Sequence, residues 1–307
     1  MEVGGCLLKI PARYRGLALL ATAAMMWSSG GLFIKLLPLN GFQIAACRSL
    51  VAGLTIMLVL KLRRQSWTVG LDPLSLATSL AYASVLILFV LATKLTTAAN
   101  AIFLQYAAPI YLLFLEPWSF KKPFPRRDLW AVAACMAGMS LFFAGHLERG
   151  GTLGNILGAI SGLATAILAL LLKWKRVKQP DQSPIGSVVL GNFLVVLICL
   201  PMALPIHMQL RHVVYLGYLG VFQLGISYML FTAGLKYLSA TAAMITCMLE
   251  AVFNPVWVFL GVGERPSPYA ITGGLLIMAV IVWYNLRKAQ EPDIDHGAAQ
   301  DPPPMPA

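Results

Sequence analysis

Apolar residues along this chain come in runs of about twenty, each closed by a short polar or basic cluster. Such runs are long enough to cross a hydrocarbon core of ~30 Å at ~1.5 Å per residue. Setting the runs against their punctuation predicts ten helical spans, over 16–37, 42–61, 73–93, 96–117, 128–145, 153–173, 184–204, 211–234, 238–262 and 267–286. The reading is an all-α polytopic membrane protein.

The pattern also repeats. Gly16 to Lys35 matches Gly154 to Lys173 from glycine to lysine without a gap, and Lys94 to Lys122 runs in the register of Lys236 to Glu264. Ten transmembrane helices therefore divide into two five-helix repeats, 16–145 and 153–288, flanked by a short N-terminal segment, 1–15, and a tail, 289–307. An odd number of crossings makes the second copy enter the membrane in the opposite orientation, so the repeats are inverted, a recurrent design in carriers that alternate access. The match deep inside the chain argues that the first apolar run is a retained helix rather than a cleaved signal peptide.

Composition agrees: 59% of residues are hydrophobic and 11% charged, against roughly 45–50% and about 25% in soluble domains. A net charge of +11 would suggest nucleic acid in a soluble protein, but here the charges sit in short loops. Lys9, Arg13, Arg15, Lys61, Arg63, Arg64, Lys121, Lys122, Arg126, Arg127, Lys173, Lys175, Arg176, Lys178, Lys236, Arg287 and Lys288 fall on one side. Lys35, Lys94, Arg149, Arg211 and Arg265 fall on the other. The basic excess predicts cytoplasmic N- and C-termini. The polar, proline-rich tail from Gln290 reads as disordered. Cys6, Cys47, Cys135, Cys199 and Cys247 form no CxxC pair and imply no disulfide or metal framework.

Several segments together resemble the EamA branch of the drug/metabolite transporter superfamily: Trp27 to Lys35 (WSSGGLFIK), Arg48 early in span two, Thr96 to Ala101 (TTAANA), and Leu249-Glu250 followed by Gly263 to Arg265 (GER). The resemblance covers roughly residues 14 to 288 and implies a ten-helix secondary transporter of the bacterial inner membrane. Its expected cargo is a small metabolite such as an amino acid, exported through a central cavity. The chain departs from the family pattern at Ala251, where a proline often follows Leu-Glu, and at Lys122, where a glutamate often ends span four.

Glu250 falls ~18 Å along span nine, near the bilayer midplane, where a carboxylate must face a cavity, pair or take a proton. Its repeat counterpart is Ala108, so the charge belongs to one half only. Substrate binding and proton coupling are one reading of it; a structural pairing with Arg48 is the other. Mid-span Trp27, Tyr82, Gln105, Tyr106, Tyr228 and Asn254 are the remaining candidate substrate-binding residues, with Gln223 and Trp257 at similar depth. Each must find a polar partner across a helix seam or line a cavity. Pro109 and Pro255 interrupt apolar spans and are candidate hinges.

Structural readings serve elsewhere. Arg48 is expected to snorkel to the interface or cap carbonyls, with a substrate carboxylate as the other reading. Glu116 is expected in an interfacial ion pair with Lys121 or Lys122. Gly154, Gly158 and Gly162 form a GxxxGxxxG packing face. No HExxH, GxSxG, P-loop or dinucleotide fingerprint supports an enzyme, and no cofactor is implied. The expected partners are a small-molecule substrate, the lipid bilayer and protons, with no nucleic acid. A non-transporting membrane scaffold or accessory subunit, lacking a central polar cavity, is the alternative.

Overall fold

The structure is a computed structural model that describes residues 11–65, 70–121, 123–124, 126–142, 144, 151–180, 182–206, 208–262 and 267–289. The side chains of 254, 255, 258, 259, 261, 262 and 289 also fall outside the described set, as do Lys122 and the tail from residue 290.

The described chain is all-helical and forms ten rods. They are α1 (Ala12–Trp27 and Gly30–Leu36), α2 (Gly41–Leu62), α3 (Pro73–Leu95), α4 (Ala98–Gln105 and Ala108–Phe120) and α5 (Arg126–Phe142) in the first half. The second half holds α6 (Thr152–Lys178), α7 (Ile185–Ala203), α8 (Leu210–Gly234), α9 (Ala240–Cys247 and Leu249–Val262) and α10 (Pro268–Ala289). Eight are long and apolar enough to cross a membrane. The other two are the 17-residue α5 and the divided α9.

Local chemistry sets where several rods begin. Asn40 and Gln43 form a reciprocal capping box at α2, and Thr97 and Ser239 accept from Asn100 and Ala242 at α4 and α9. Asp72 caps α3 ahead of Pro73, accepting from the backbone of Leu74 and Ser75 at 3.1 Å, from Ser75 Oγ at 2.5 Å and from Gln179 Nε2 at 3.0 Å. These donors, the Ser75 hydroxyl foremost, hold its carboxyl well below the usual carboxylate range.

The halves interlock rather than sit side by side. α1 packs on α8 and α9 of the other half, and α6 packs on α3 and α4; α2 meets α7, and α5 meets α10. The reciprocity reaches single residues. A side chain at Gly16 would meet Tyr237 and Leu238, and one at Gly154 would meet Leu95 and Thr96, the matching pair in the other copy. Likewise Lys35 donates to the Thr96 carbonyl at 2.7 Å, while Lys173 donates to that of Leu238 at 2.9 Å.

The GxxxGxxxG face has the predicted packing role. Cβ atoms at Gly154, Gly158 and Gly162 would fall 2.7–3.2 Å from α4 or its leading loop, against backbone atoms at Gly154 and Gly162. That absence of side chains lets the α4–α6 seam close around amides and hydroxyls. Asn100 donates to Asn155 at 3.0 Å, and Gln105 donates to Ser161 at 3.1 Å and to Thr165 at 3.4 Å.

Glu116 departs from its expected ion pair. It is buried, and its carboxylate accepts from the backbone of Ala240 (3.0 Å) and Thr241 (2.7 Å) and from Thr241 Oγ1 (2.5 Å). With the Ser239 hydroxyl accepting from Ala242, three of the four orphan N–H groups at the start of α9 are satisfied. An anion suits a helix N-terminus, so α4 of the first half anchors α9 of the second. Glu116→Ala is expected to destabilise the protein by about 2 kcal/mol, read as thermal unfolding in detergent, with Lys121→Ala near wild type. An equal loss in the lysine variant would restore the ion-pair account.

Candidate functional site

Three rods break where they pass the centre of the bundle. α1 divides at Ser28-Ser29, α4 at Tyr106-Ala107 and α9 at Met248. The α4 and α9 breaks fall at the same place in the repeat to within one residue, and each replaces a helical bond by a tighter one, Ala107 to Leu104 and Met248 to Ile245. Pro109 lies in the first turn after its break, where a proline forfeits no helical bond. The second break occurs without a proline there, and α9 continues through Pro255. Backbone discontinuity in both halves thus lies N-terminal to the prolines singled out in the sequence.

Breaks free carbonyls inside an apolar protein, and each must be satisfied. At α9 the Ala251 amide bonds Met248 rather than Cys247, which leaves the Cys247 carbonyl open. Tyr106, at the other break, fills it: its hydroxyl lies 2.8 Å from that carbonyl oxygen and 2.5 Å from Glu250 Oε2. A phenol has one proton. Both contacts are full hydrogen bonds when Glu250 supplies a second proton, giving a relay from carboxyl to phenol to carbonyl.

Glu250 and Tyr106 line a narrow cavity of about 60 Å³ between the halves. The lining also contains Trp27, Gln105 and Tyr228. Five of the seven substrate-binding candidates are therefore brought together. Tyr82 is not in the lining: it is fully buried behind it, edge-on to Tyr228 at 4.7 Å and accepting from Asn192 at 3.0 Å. The Asn254 side chain lies outside the described residues.

Further lining comes from positions with no polar signature in sequence, Phe89, Phe231 and Met244, and from Thr165, one turn beyond Ser161 on the α4–α6 seam. Trp27 packs against both Tyr228 and Phe231, at 5.0 and 5.2 Å. Sequence periodicity could not have marked these phenylalanines, because an aromatic lining a cavity looks the same as one packed in a core.

Arg48 also lines the cavity. It neither snorkels nor pairs with Glu250: the side chain is 1% exposed, donating to Gln223 Oε1 at 3.5 Å and to the Leu86 carbonyl at 3.3 Å. Gln223 reaches it from a π-helical stretch of α8, Leu219–Ile226, a wide turn often found at functional sites.

Between the cavity and the end of the bundle where α1 finishes and α8 begins lies an aromatic and hydroxyl layer. Trp257 donates to Ser28 Oγ at 2.6 Å, Ser29 and Tyr218 hydroxyls meet at 3.0 Å, and Phe33 packs on Tyr215 and Tyr218 at 5.4 and 4.7 Å. Residues from α1, α8 and α9 thus meet across the bundle at this level.

Paired halves, a cavity at their interface and broken rods around it define a polytopic carrier-type membrane protein. The chain matches the EamA-like transporter family twice, over residues 14–144 and 152–286, and it belongs to that family of membrane transporters. Two uncharacterized transporters of Archaeoglobus fulgidus are similar to it. One is 26% identical over 283 residues, covering 85% of this chain and 94% of the relative. The other is 27% identical over 201 residues, covering 64% and 70%. A crystal structure at 14% identity superposes with a TM-score of 0.76 over 91% of this chain and all of that one, a likeness of fold.

Proposed function

We propose that this transporter is a secondary carrier that exports a small polar or amphipathic metabolite, such as an amino acid or related compound. The inverted halves rock about the central cavity to alternate access. The observation that carries the reading is the cavity itself, where Glu250, Tyr106, Arg48 and Gln223 converge from both halves inside the apolar spans. A scaffold has no use for such polar groups at this depth, since each is costly in hydrocarbon unless it serves a cavity or a partner.

Glu250 couples transport to protons in this reading, and the two contacts of Tyr106 support a protonated carboxyl in the present conformation. The layer of Ser28, Ser29, Phe33, Tyr215, Tyr218 and Trp257 is the gate on the Lys35 side. The basic excess at the opposite loops supports cytoplasmic termini and an inner-membrane location. Pro109, in the first turn after its break, acts in this scheme as a stiff flank of the moving segment, and Pro255 as a hinge candidate further along α9.

The test is an untargeted comparison of metabolites in the medium of cells expressing or lacking the protein, followed by uptake of the best candidate into proteoliposomes. Export predicts a solute enriched several-fold outside expressing cells and moved by the purified protein. Failure of the purified protein to move any enriched solute would favour the scaffold.

A further inference from the structure

We propose that Arg48 is the subsite for a carboxylate on the transported molecule, which rests on the carrier reading above. A guanidinium offers five N–H donors in a planar fork. Here the terminal nitrogens reach Gln223 and Leu86 only at 3.5 and 3.3 Å, and Nε has no hydrogen-bond partner among the described residues. The group is nonetheless almost wholly buried and lines the cavity. No ion pair joins it to an acidic side chain among the described residues.

A buried cation so placed is expensive unless an anion completes it. The unpartnered Nε edge, buried in this conformation, is the side-on face of the fork, which a carboxylate engages with two parallel bonds. The protein holds that edge in position. The α8 π-turn approaches so closely that a side chain at Gly220 would meet Val51 and the Arg48 carbonyl, and one at Gly30 would strike the Gln223 amide. Gln223 is thereby wedged against Arg48 and fixes one side of the guanidinium, while Nε on the other side is left without a partner among the described residues. Nearby Trp27 Nε1 is a second donor with no partner among the described residues. The remaining wall of Phe89, Tyr228 and Phe231 suits an apolar tail.

The acid is separated from its tail chemistry by four probes with one isobutyl group: leucine, leucinamide, isoamylamine and 4-methylpentanoate. Binding to the purified full-length protein in detergent is read as ligand-dependent thermal stabilisation, and transport as flux in proteoliposomes. Leucine and 4-methylpentanoate are expected to stabilise the wild type, with leucinamide and isoamylamine weaker by about tenfold or more. Arg48→Lys keeps the charge but loses the fork, and is expected to cut acid binding by about tenfold; Arg48→Gln is expected to abolish the preference for acid over amide. Gel filtration confirms that each variant folds, and the lysine variant suffices where the glutamine variant does not.

Equal binding of acid and amide by the wild type, an undiminished preference in either variant, or no binding of any of the four overturns the proposal. The carrier reading fails separately. Flux of isoamylamine or of an enriched cellular solute that survives Arg48→Gln would keep the carrier and remove the carboxylate subsite.

Discussion

Glu250→Gln protein is expected to fold and exchange substrate across the membrane, yet to lose accumulation driven by an imposed proton gradient. The amide keeps the shape of the protonated acid and can donate to Tyr106, so the relay to the Cys247 carbonyl survives. What disappears is the ability to release the proton. Proteoliposome flux at matched pH on both sides should stay within about threefold of wild type, whereas gradient-driven accumulation should fall by about tenfold or more, a difference of ~1.4 kcal/mol or greater in driving force. Glu250→Ala should lose both, because Tyr106 is then left with one partner in an apolar setting. A glutamine variant that still concentrates substrate with unchanged pH dependence would sink the proton role.

The second large effect is mechanical. Gly162→Val should disable folding, because the new Cβ would lie 2.7 Å from the Leu104 carbonyl oxygen and 3.1 Å from that of Gln105. Both are backbone atoms that cannot rotate away. The seam must then open, breaking the bonds from Gln105 to Ser161 and Thr165. A loss of about 3 kcal/mol is expected, visible as a collapse in monodisperse protein on gel filtration and a lowered Tm. Gly217→Val is the control, since a side chain there meets nothing within 4 Å. Equal yields for the two variants would refute the close-packing account.

Much of the fold was legible because membrane helices announce themselves by length and apolar content. Ten rods, their order and the repeat all follow from the sequence, and the Gly16/Gly154 match reappears as reciprocal packing in space. The breaks were less legible. Prolines at 109 and 255 drew the eye, but the discontinuities sit at Tyr106-Ala107, just ahead of Pro109, and at Met248, where no proline follows within a turn. At Met248 the freed Cys247 carbonyl is met by the Tyr106 hydroxyl of another rod, and such long-range bonds leave no periodic trace.

The site was partly readable for a related reason. Glu250, Tyr106, Gln105, Trp27 and Tyr228 stood out as polar or aromatic groups at mid-span and converge on one cavity. Tyr82 carried the same signal but spends its hydroxyl on Asn192. Glu116 looked interfacial by its neighbours in sequence, yet its partners are amides on a rod of the other half. Depth along one helix is visible in a sequence, whereas the direction a side chain takes depends on which rods become neighbours.

The crosswise pairing of the halves has a consequence for synthesis. α1 leaves the ribosome first, but its packing partners, α8 and α9, are among the last rods to be made. Its small-residue face, including Gly16, must wait in lipid until most of the chain has been inserted. Native assembly is therefore a late event in which two five-helix units clasp each other. The same reciprocity predicts that the halves, made as separate polypeptides, would need each other to persist.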